Sequence, residues 1–216
     1  MLRRFDDVLP TAVRLGGPGL LLLLLFALTA CGPPKADALG PGSRVLALGD
    51  SLTYGTGATL ETSYPEALAA MTQWTMVNAG VPGDLAQQGC SRLAPLLEEH
   101  RPQLVLVFLG GNDILRRGST DALTEGLVQC ANAAREAKVP MVLFAVPRFE
   151  LTGFTDSPIF ASIATSSKVA FLTPQLGKLL GNDKLRADTV HLNGDGYRAL
   201  AGNVAAELRR LGYLRH

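Results

Sequence analysis

From residue 43 onward, short apolar runs alternate with segments in which apolar residues recur three or four positions apart. A continuous apolar run predicts a strand buried on both faces, and the wider spacing predicts an amphipathic helix. The predicted strands are residues 45–48, 75–78, 104–109, 141–146 and 169–172. The predicted helices are residues 63–71, 121–138, 158–165 and 194–211, together with a helix that Asp84 caps and that ends near residue 101. Residues 147–157 are predicted to form a loop.

This alternation of strands and helices predicts an α/β fold, a single three-layer α/β/α domain with a five-stranded parallel sheet between helices. Open sheets of this kind bind ligands beyond the carboxyl ends of their strands. We therefore expect the functional site at that edge of the sheet. The polar residues that follow the first three predicted strands are Asp50 and Ser51, Gly83 and Asp84, and Asn112 and Asp113.

The first 30 residues differ from the rest of the chain. Arg3, Arg4 and Arg14 precede an apolar run over residues 20–28, which is short for a membrane-spanning helix of about 20 residues. A basic start followed by a short apolar stretch is typical of a secretory signal peptide. The tetrad Leu-Thr-Ala-Cys at 28–31 resembles a bacterial lipobox, which implies cleavage before Cys31 and lipidation of its sulfur.

The predicted organisation is a lipoprotein signal peptide over residues 1–30, a flexible Pro- and Gly-rich tether over 31–42 and a folded domain over 43–216. This organisation implies an exported bacterial lipoprotein, held at a membrane by acyl chains and facing the periplasm or the cell surface. Two alternatives stay open: an ordinary signal peptide cut near Ala30, and an apolar segment that is retained as an anchor.

Composition narrows the classes of function. The 216 residues are 47% apolar and 18% charged, with a net charge of +1, which excludes a disordered chain and argues against a nucleic-acid partner. Three cysteines and three histidines are too few for a zinc-rich or disulfide-dense fold. The dinucleotide motif Gly-x-Gly-x-x-Gly and the phosphate-binding P-loop are both missing from the sequence. We predict neither a cofactor nor a metal.

One serine and one histidine emerge as candidates for catalysis. Ser51 lies in the motif Gly-Asp-Ser-Leu, at a predicted strand-to-helix turn that can expose its hydroxyl and offer its backbone N–H to an anion. The Gly-x-Ser-x-Gly elbow of α/β-hydrolases is not present. Since His100 precedes Arg-Pro at a predicted helix end and another histidine ends the chain, His191 is the candidate base. Asp188, three residues earlier, can orient the His191 ring and fix its tautomer.

Four separated segments together resemble the four blocks of the SGNH (GDSL-type) hydrolase family. They are residues 49–52 (GDSL), 77–84 (VNAGVPGD), 110–113 (GGND) and 188–191 (DTVH). The resemblance spans about residues 44–211, and the run 83–93 is most similar to the bacterial thioesterase, lysophospholipase and arylesterase branch. It implies a flavodoxin-like strand topology for an SGNH hydrolase domain over residues 43–216.

The resemblance also implies a role for each matching residue. Ser51 is the nucleophile, His191 the general base and Asp188 the residue that orients His191. The Ser51 N–H, the Gly83 N–H and the Asn112 side-chain amide form the oxyanion hole. The implied function is a serine esterase for small-molecule carboxylic esters or thioesters, with acyl esters, aryl esters and lysophospholipids as candidates. Because segment 147–185 matches the family less well, substrate preference is expected to depend partly on it.

Two other functions remain open: an O-acetyl esterase that acts on cell-wall or other polysaccharide, and a non-catalytic lipoprotein that binds a ligand. Asp50 and Asp113, beside the catalytic candidates, are predicted to be supporting hydrogen-bond acceptors or helix caps. Cys90 and Cys130 lie on predicted helices, where two buried free thiols are expected, although an exported chain allows a disulfide. The oligomeric state is left open.

Overall fold

The structure, a computed structural model of the chain, describes residues 37–151 and 153–215. The predicted signal peptide, the predicted lipidation site Cys31 and the first half of the predicted tether (residues 31–36) lie outside the described residues, so they remain predictions. Within the described ranges, no helix combines the length and the apolar character needed to cross a membrane.

A parallel five-stranded sheet forms the centre of the fold. Its strand order is β2-β1-β3-β4-β7 with parallel pairing throughout, whereas β5 and β6 pair separately as a hairpin. This order is that of flavodoxin-like folds and confirms the predicted α/β class. In chain order the strands are β1 (Arg44–Gly49), β2 (Thr75–Gly80), β3 (Leu104–Phe108), β4 (Met141–Phe144), β5 (Pro147–Glu150), β6 (Gly153–Asp156) and β7 (Ala170–Leu172).

Burial along the strands explains why the apolar runs were informative. Every residue of β3 is buried, as expected for a central parallel strand that is covered on both faces. Phe108 at the end of β3 packs against Phe144 of β4, with ring centroids 5.0 Å apart, and against Tyr64 at 6.1 Å. Strand β2 lies at the edge of the sheet and is mostly half-buried, which fits its mixed sequence.

Four of the five predicted helices, 63–71, 121–138, 158–165 and 194–211, are confirmed to within two residues at their ends. The short helices α1, α5 and α8 were not predicted, because a helix of four or five residues is too short to show a periodic pattern. The helices are α1 (Ser51–Tyr54), α2 (Tyr64–Thr72), α3 (Ala86–Ser91), α4 (Leu93–His100), α5 (Gly111–Leu115), α6 (Thr120–Glu136), α7 (Pro158–Ser167), α8 (Leu176–Leu180) and α9 (Gly194–Arg210), with a 3₁₀ turn over Leu60–Thr62.

The segment after Asp84 differs from the prediction in two ways. It forms two helices, α3 and α4, that meet at Arg92 rather than one continuous helix. Asp84 does not cap α3, since the N-cap residue is Leu85. The Asp84 carboxylate instead accepts hydrogen bonds from Arg92 at 2.7 and 3.1 Å. An acidic residue placed like a local cap therefore serves as the partner of a more distant arginine.

The predicted loop over residues 147–157 is instead mostly the hairpin of β5 and β6. Phe149 and Phe154 face each other across this hairpin, with ring centroids 4.2 Å apart. Phe154 also packs closely against α8 at Gly177, where a Cβ would come within 2.7 Å of the Phe154 Cβ. Because short hairpins depend on packing against other elements for stability, the local pattern did not predict these strands.

Cys90 and Cys130 form a disulfide between α3 and α6, with a Cα–Cα distance of 4.9 Å. The expectation of two free thiols was therefore wrong. The two helices approach closely at Gly126, where a Cβ would lie 2.6 Å from the backbone nitrogen of Gln87. Because the two cysteines are 40 positions apart, their pairing depends on how these helices pack and not on local sequence.

Candidate active site

Ser51 begins helix α1 directly after β1, at the carboxyl edge of the sheet. Asp50 is the N-cap residue, and its Oδ1 accepts a hydrogen bond from the Leu52 backbone N–H at 3.0 Å. The cap starts the helix at Ser51 and places the Ser51 N–H among the first helical amides, which have no acceptor within their own helix. The turn therefore presents a hydroxyl and an amide on the same residue.

His191 lies in the loop between α8 and α9, 140 positions from Ser51 in the chain. Its Nε2 lies 3.0 Å from Ser51 Oγ, and its Nδ1 lies 2.7 Å from Asp188 Oδ2. With the Nδ1–H donated to the carboxylate, Nε2 is available to accept the serine proton. The structure thus joins Ser51, His191 and Asp188 by consecutive hydrogen bonds.

The Asp188 carboxylate is held by its own turn. Its Oδ1 accepts hydrogen bonds from the backbone N–H groups of Val190 and His191, each at 2.8 Å, although its side chain is 54% exposed. Desolvation raises the pKa of Asp188, but the hydrogen bonds from the His191 ring and from these two amides outweigh it and hold the pKa below its usual value. Asp188 is therefore ionised beside His191 at neutral pH.

Gly83 and Asn112, the other predicted oxyanion donors, border the same cleft as Ser51. Gly83 lies in the turn after β2 with a φ of +87°, a backbone conformation that favours glycine. The Asn112 Nδ2 donates to the Asp84 carbonyl at 3.0 Å and lies 3.4 Å from Asp50 Oδ2. The open cleft has a volume of about 240 Å³, and the predicted site residues that line it are Ser51, Gly83, Asn112 and His191.

Side chains of helix α5 and of Arg116, the residue that caps its end, hold the turn over residues 83–86. In addition to the bond from Asn112, the Asp113 Oδ2 accepts a hydrogen bond from the Ala86 N–H at 2.9 Å, and the Arg116 Nη2 donates to the Gly83 carbonyl at 3.1 Å. Asp113 is buried, and it acts as the supporting acceptor that was predicted. Arg116 was missed, because nothing in the local sequence connects it to a glycine 33 positions earlier.

Arg92, at the junction of α3 and α4, holds the same turn and was also missed. Its guanidinium donates to Asp84 Oδ2 at 2.7 Å and to the Ala79 carbonyl at 3.1 Å. Both Asp84 and Arg92 belong to the run 83–93 that is similar to the thioesterase branch. The sequence therefore contained a signal for this pair, although only the structure shows that the two side chains meet.

Asp50 is the carboxyl group that lines the cleft. Burial raises its pKa to about 7, and the hydrogen bond from the Leu52 N–H opposes this increase only in part. The residue is 4% exposed. The protonated and ionised forms of Asp50 are therefore both populated near neutral pH, close to Asn112. Its role as the cap of α1 matches the predicted supporting role.

The other described histidine, His100, lies elsewhere. His100 ends α4, with its Nε2 3.7 Å from Glu99, and the terminal histidine is outside the described residues. Trp74 and Phe108 are core residues, whereas Tyr54 lines a separate groove. Across residues 37–151 and 153–215, no group of three or more His, Cys, Asp or Glu is arranged to hold a metal ion.

Comparison with known proteins identifies the class. The model of the GDSL-like lipase/acylhydrolase family matches residues 47–199, and the chain belongs to this family. The chain is similar to thioesterase 1/protease 1/lysophospholipase L1 of Escherichia coli K12, with 31% identity over 198 residues that cover 88% of this chain and 90% of that protein. It is also similar to an arylesterase of Vibrio mimicus, with 34% identity over 135 residues, 59% of this chain and 64% of that one.

Solved structures agree with this assignment at the level of the fold. The psychrotrophic esterase EstA from Pseudoalteromonas sp., inhibited by monoethylphosphonate, matches with a TM-score of 0.70 and 22% identity, over 78% of this chain and 97% of that one. At that identity the likeness shows the shared fold alone. Family and fold together establish an SGNH-type ester hydrolase, which confirms the predicted family and the predicted enzyme class.

Proposed function

We propose that this cleft hydrolyses carboxylic esters and thioesters with Ser51 as nucleophile and with His191 and Asp188 completing a catalytic triad. The observation that carries the proposal is the pair of hydrogen bonds from Ser51 Oγ to His191 Nε2 at 3.0 Å and from His191 Nδ1 to Asp188 Oδ2 at 2.7 Å. Both distances lie within the reach required of a nucleophile, its base and the group that orients the base.

Acylation begins when Ser51 Oγ bonds to the substrate carbonyl carbon and its proton moves to His191 Nε2. The carbonyl oxygen becomes an oxyanion, which accepts hydrogen bonds from the Ser51 N–H, the Gly83 N–H and the Asn112 side-chain amide. Collapse of this intermediate breaks the bond to the alcohol or thiol, which leaves with the proton held by His191. Ionised Asp188 stabilises the His191 imidazolium during both transfers.

Deacylation repeats the same sequence with water. His191 takes a proton from the water as its oxygen attacks the acyl carbon, and the second oxyanion is bound by the same donors. The bond between the acyl carbon and Ser51 Oγ then breaks, and His191 returns the proton to the serine. The product is a carboxylic acid, and Ser51 and His191 recover their starting forms.

The names of the relatives support this range of substrates, since one is a thioesterase and lysophospholipase and another is an arylesterase. The cleft, about 240 Å³ in volume, is smaller than the pockets of about 300–1,000 Å³ that enclose drug-sized ligands. Short acyl groups fit inside it, and longer chains extend beyond its open rim. We therefore propose short acyl and aryl esters as the best substrates, with lysophospholipids and thioesters as further members of the range.

The test is hydrolysis of p-nitrophenyl butyrate by the wild type and by Ser51→Ala. We expect the substitution to lower kcat by about 10⁵–10⁶-fold. Ser91→Ala is the matched control, because Ser91 is an exposed serine whose Oγ bonds only to the Gln88 carbonyl, and it should retain full activity. Hydrolysis that survives Ser51→Ala intact would refute the assignment of the nucleophile.

The two alternative functions are separated by further measurements on the same protein. An acetylated polysaccharide offered beside acyl esters distinguishes an O-acetyl esterase, which releases acetate from the glycan faster than it cleaves butyryl esters. Labelling by a fluorophosphonate, which phosphonylates an activated serine, distinguishes an enzyme from a non-catalytic binding protein. Labelling that is lost in Ser51→Ala and kept in Ser91→Ala supports the esterase.

We also propose that the chain is an exported lipoprotein, cleaved before Cys31 and acylated on that residue. Its support is the Leu-Thr-Ala-Cys tetrad and the Cys90–Cys130 disulfide, because structural disulfides are typical of oxidising compartments. Mass spectrometry of the mature N-terminus should find a diacyl- or triacyl-modified Cys31. Cleavage at another position, or an unmodified cysteine, would contradict this proposal, and Cys31→Ala provides the unlipidated control.

A further inference from the structure

The charged side chains around the cleft differ in the partners that they contact. The carboxylates of Asp84, Asp113 and Asp188 each accept hydrogen bonds from groups within the site. Among the described residues Arg116 forms no ion pair, and its side chain donates its hydrogen bond to the neutral carbonyl of Gly83. The guanidinium beside Gly83 is thus a cation with no carboxylate of the described chain within ion-pair distance.

The guanidinium of Arg116 lies beside one of the proposed oxyanion donors. Its Nη2 is 3.1 Å from the Gly83 carbonyl oxygen, and a Cβ placed on Gly83 would lie 3.5 Å from the same nitrogen. Leu115, the residue before it, lines the cleft and is 50% exposed. Because arginine carries five N–H donors, one bond to Gly83 leaves donors for a second acceptor beside Gly83, which lines the cleft.

Backbone hydrogen bonds fix the position from which the Arg116 side chain projects. The Arg116 N–H donates to the Asn112 carbonyl at 3.0 Å, and Arg117 follows in the left-handed conformation with a φ of +52°. The Gly118 N–H then donates to the Asp113 carbonyl at 2.8 Å. Arg116 is therefore fixed to the end of the same helix that carries Asn112, so its position relative to the oxyanion hole is set by α5.

We propose that Arg116 is a specificity-determining residue that binds an anionic group, a carboxylate or a phosphate, carried by the ester substrate. The proposal rests on the esterase function proposed above. A guanidinium forms charge-assisted hydrogen bonds with both kinds of group, often two at once. An ester that carries such a group on its acyl side or on its alcohol side gains affinity and orientation at the rim that a neutral ester of the same size lacks.

The experiment compares kcat/KM for two matched pairs of esters. Mono-p-nitrophenyl suberate against p-nitrophenyl octanoate places the charge on the acyl side, and 4-acetoxybenzoate against 4-acetoxybenzamide places it on the alcohol side. The wild type should prefer the anionic member of at least one pair. Arg116→Gln should lower kcat/KM for that anionic ester about tenfold, and for its neutral partner about two- to threefold, because the contact with Gly83 is also weakened. Arg116→Lys keeps the charge and should retain part of the preference.

Arg117→Gln is the matched control, because it removes the same charge one position later. Arg117 lines a different groove, with Arg148 and Ser157, and should leave the preference unchanged. An equal loss in both variants means that only long-range charge acts and overturns the proposal. An equal loss of kcat/KM for both members of a pair in Arg116→Gln also overturns the proposal, because it would show that Arg116 only positions Gly83. A wild type that hydrolyses all four esters without preference overturns this inference alone, whereas one that hydrolyses none overturns the esterase function with it.

Discussion

Residues 188–191, which contain the proposed base and the aspartate that orients it (the acid–base segment), are held mainly by contacts within themselves. The turn 83–86 and helix α5 with Arg116, which contain the proposed oxyanion donors Gly83 and Asn112 (the oxyanion segment), are held by contacts between distant parts of the chain. Asp188 accepts hydrogen bonds from the amides of Val190 and His191 and from the His191 ring, at most three positions away. The bonds between α5 and the turn join residues 27, 28 and 33 positions apart.

The two segments also differ in how deeply their carboxylates are buried. The Asp188 side chain is 54% exposed, whereas Asp113 is 7% exposed and accepts its hydrogen bond from the Ala86 amide. A buried donor that loses its partner costs about 1–3 kcal/mol, and an exposed one is rescued by water. We therefore expect substitutions in the acid–base segment to lower catalysis with little effect on stability, and substitutions in the oxyanion segment to lower both.

Between the two segments, the larger loss of activity is expected for Asp188→Asn. An amide keeps an acceptor for the turn but favours the wrong His191 tautomer, so kcat should fall by about 10³–10⁴-fold. The free energy of unfolding should fall only slightly, because solvent screens the interactions of this exposed carboxylate. Steady-state kinetics and urea denaturation measure the two quantities. Asp195→Asn is the control, because Asp195 is another exposed aspartate that accepts a hydrogen bond from a side chain three positions later, that of Arg198. A large loss of stability in Asp188→Asn would break the contrast between the segments.

A smaller loss of activity is expected for Asn112→Ala. Removal of one oxyanion donor typically lowers kcat by about 10²–10³-fold. The variant also loses the hydrogen bond to the Asp84 carbonyl, so the free energy of unfolding should fall by about 1 kcal/mol. Asn132→Ala, on the exposed face of α6, is the matched control and should change neither quantity. Unchanged stability in Asn112→Ala would mean that α5 does not hold the turn as described.

The disulfide restrains the oxyanion segment, because Cys90 lies on α3 directly after the turn. Replacing Cys90 and Cys130 together by alanine should lower the free energy of unfolding by about 2–4 kcal/mol, as expected for a cross-link that closes a loop of this length. Activity at 25 °C should persist. Thermal unfolding of the wild type with and without a reducing agent provides an independent check, and equal midpoints would show that the bond does not form.

The last prediction concerns stability alone, through its pH dependence at Asp50. The fold raises its pKa from the usual 3.8 to about 7, so between these values the folded chain holds a proton that the unfolded chain has released. The contribution of Asp50 to stability therefore falls as pH rises through that window. Asp50→Asn removes this titration, and its stability relative to the wild type should rise from near zero at pH 4 to about 1–4 kcal/mol at pH 8. Parallel stability curves for the two proteins would refute a raised pKa.

The contrast between the segments also explains which features could be predicted. Asp188 and His191 interact at a spacing of three residues, so the sequence contains both the groups and their separation. Strands β1, β3 and β4 were predicted because a strand buried on both faces needs a continuous apolar run. The β5–β6 hairpin and the Cys90–Cys130 disulfide were not predicted, because each depends on packing between elements that are separate in sequence.

The sequence by itself determined the α/β class, the order of the five sheet strands, the family resemblance and the candidate reacting groups, because these depend on residue type and short spacing. Tertiary structure alone decided that His191 Nε2 lies 3.0 Å from Ser51 Oγ, that Arg116 contacts Gly83 and that α3 is bonded covalently to α6. The physical reason is that these contacts join residues between 33 and 140 positions apart. Their distances are set by the packing of the sheet and its helices, to which the whole core contributes.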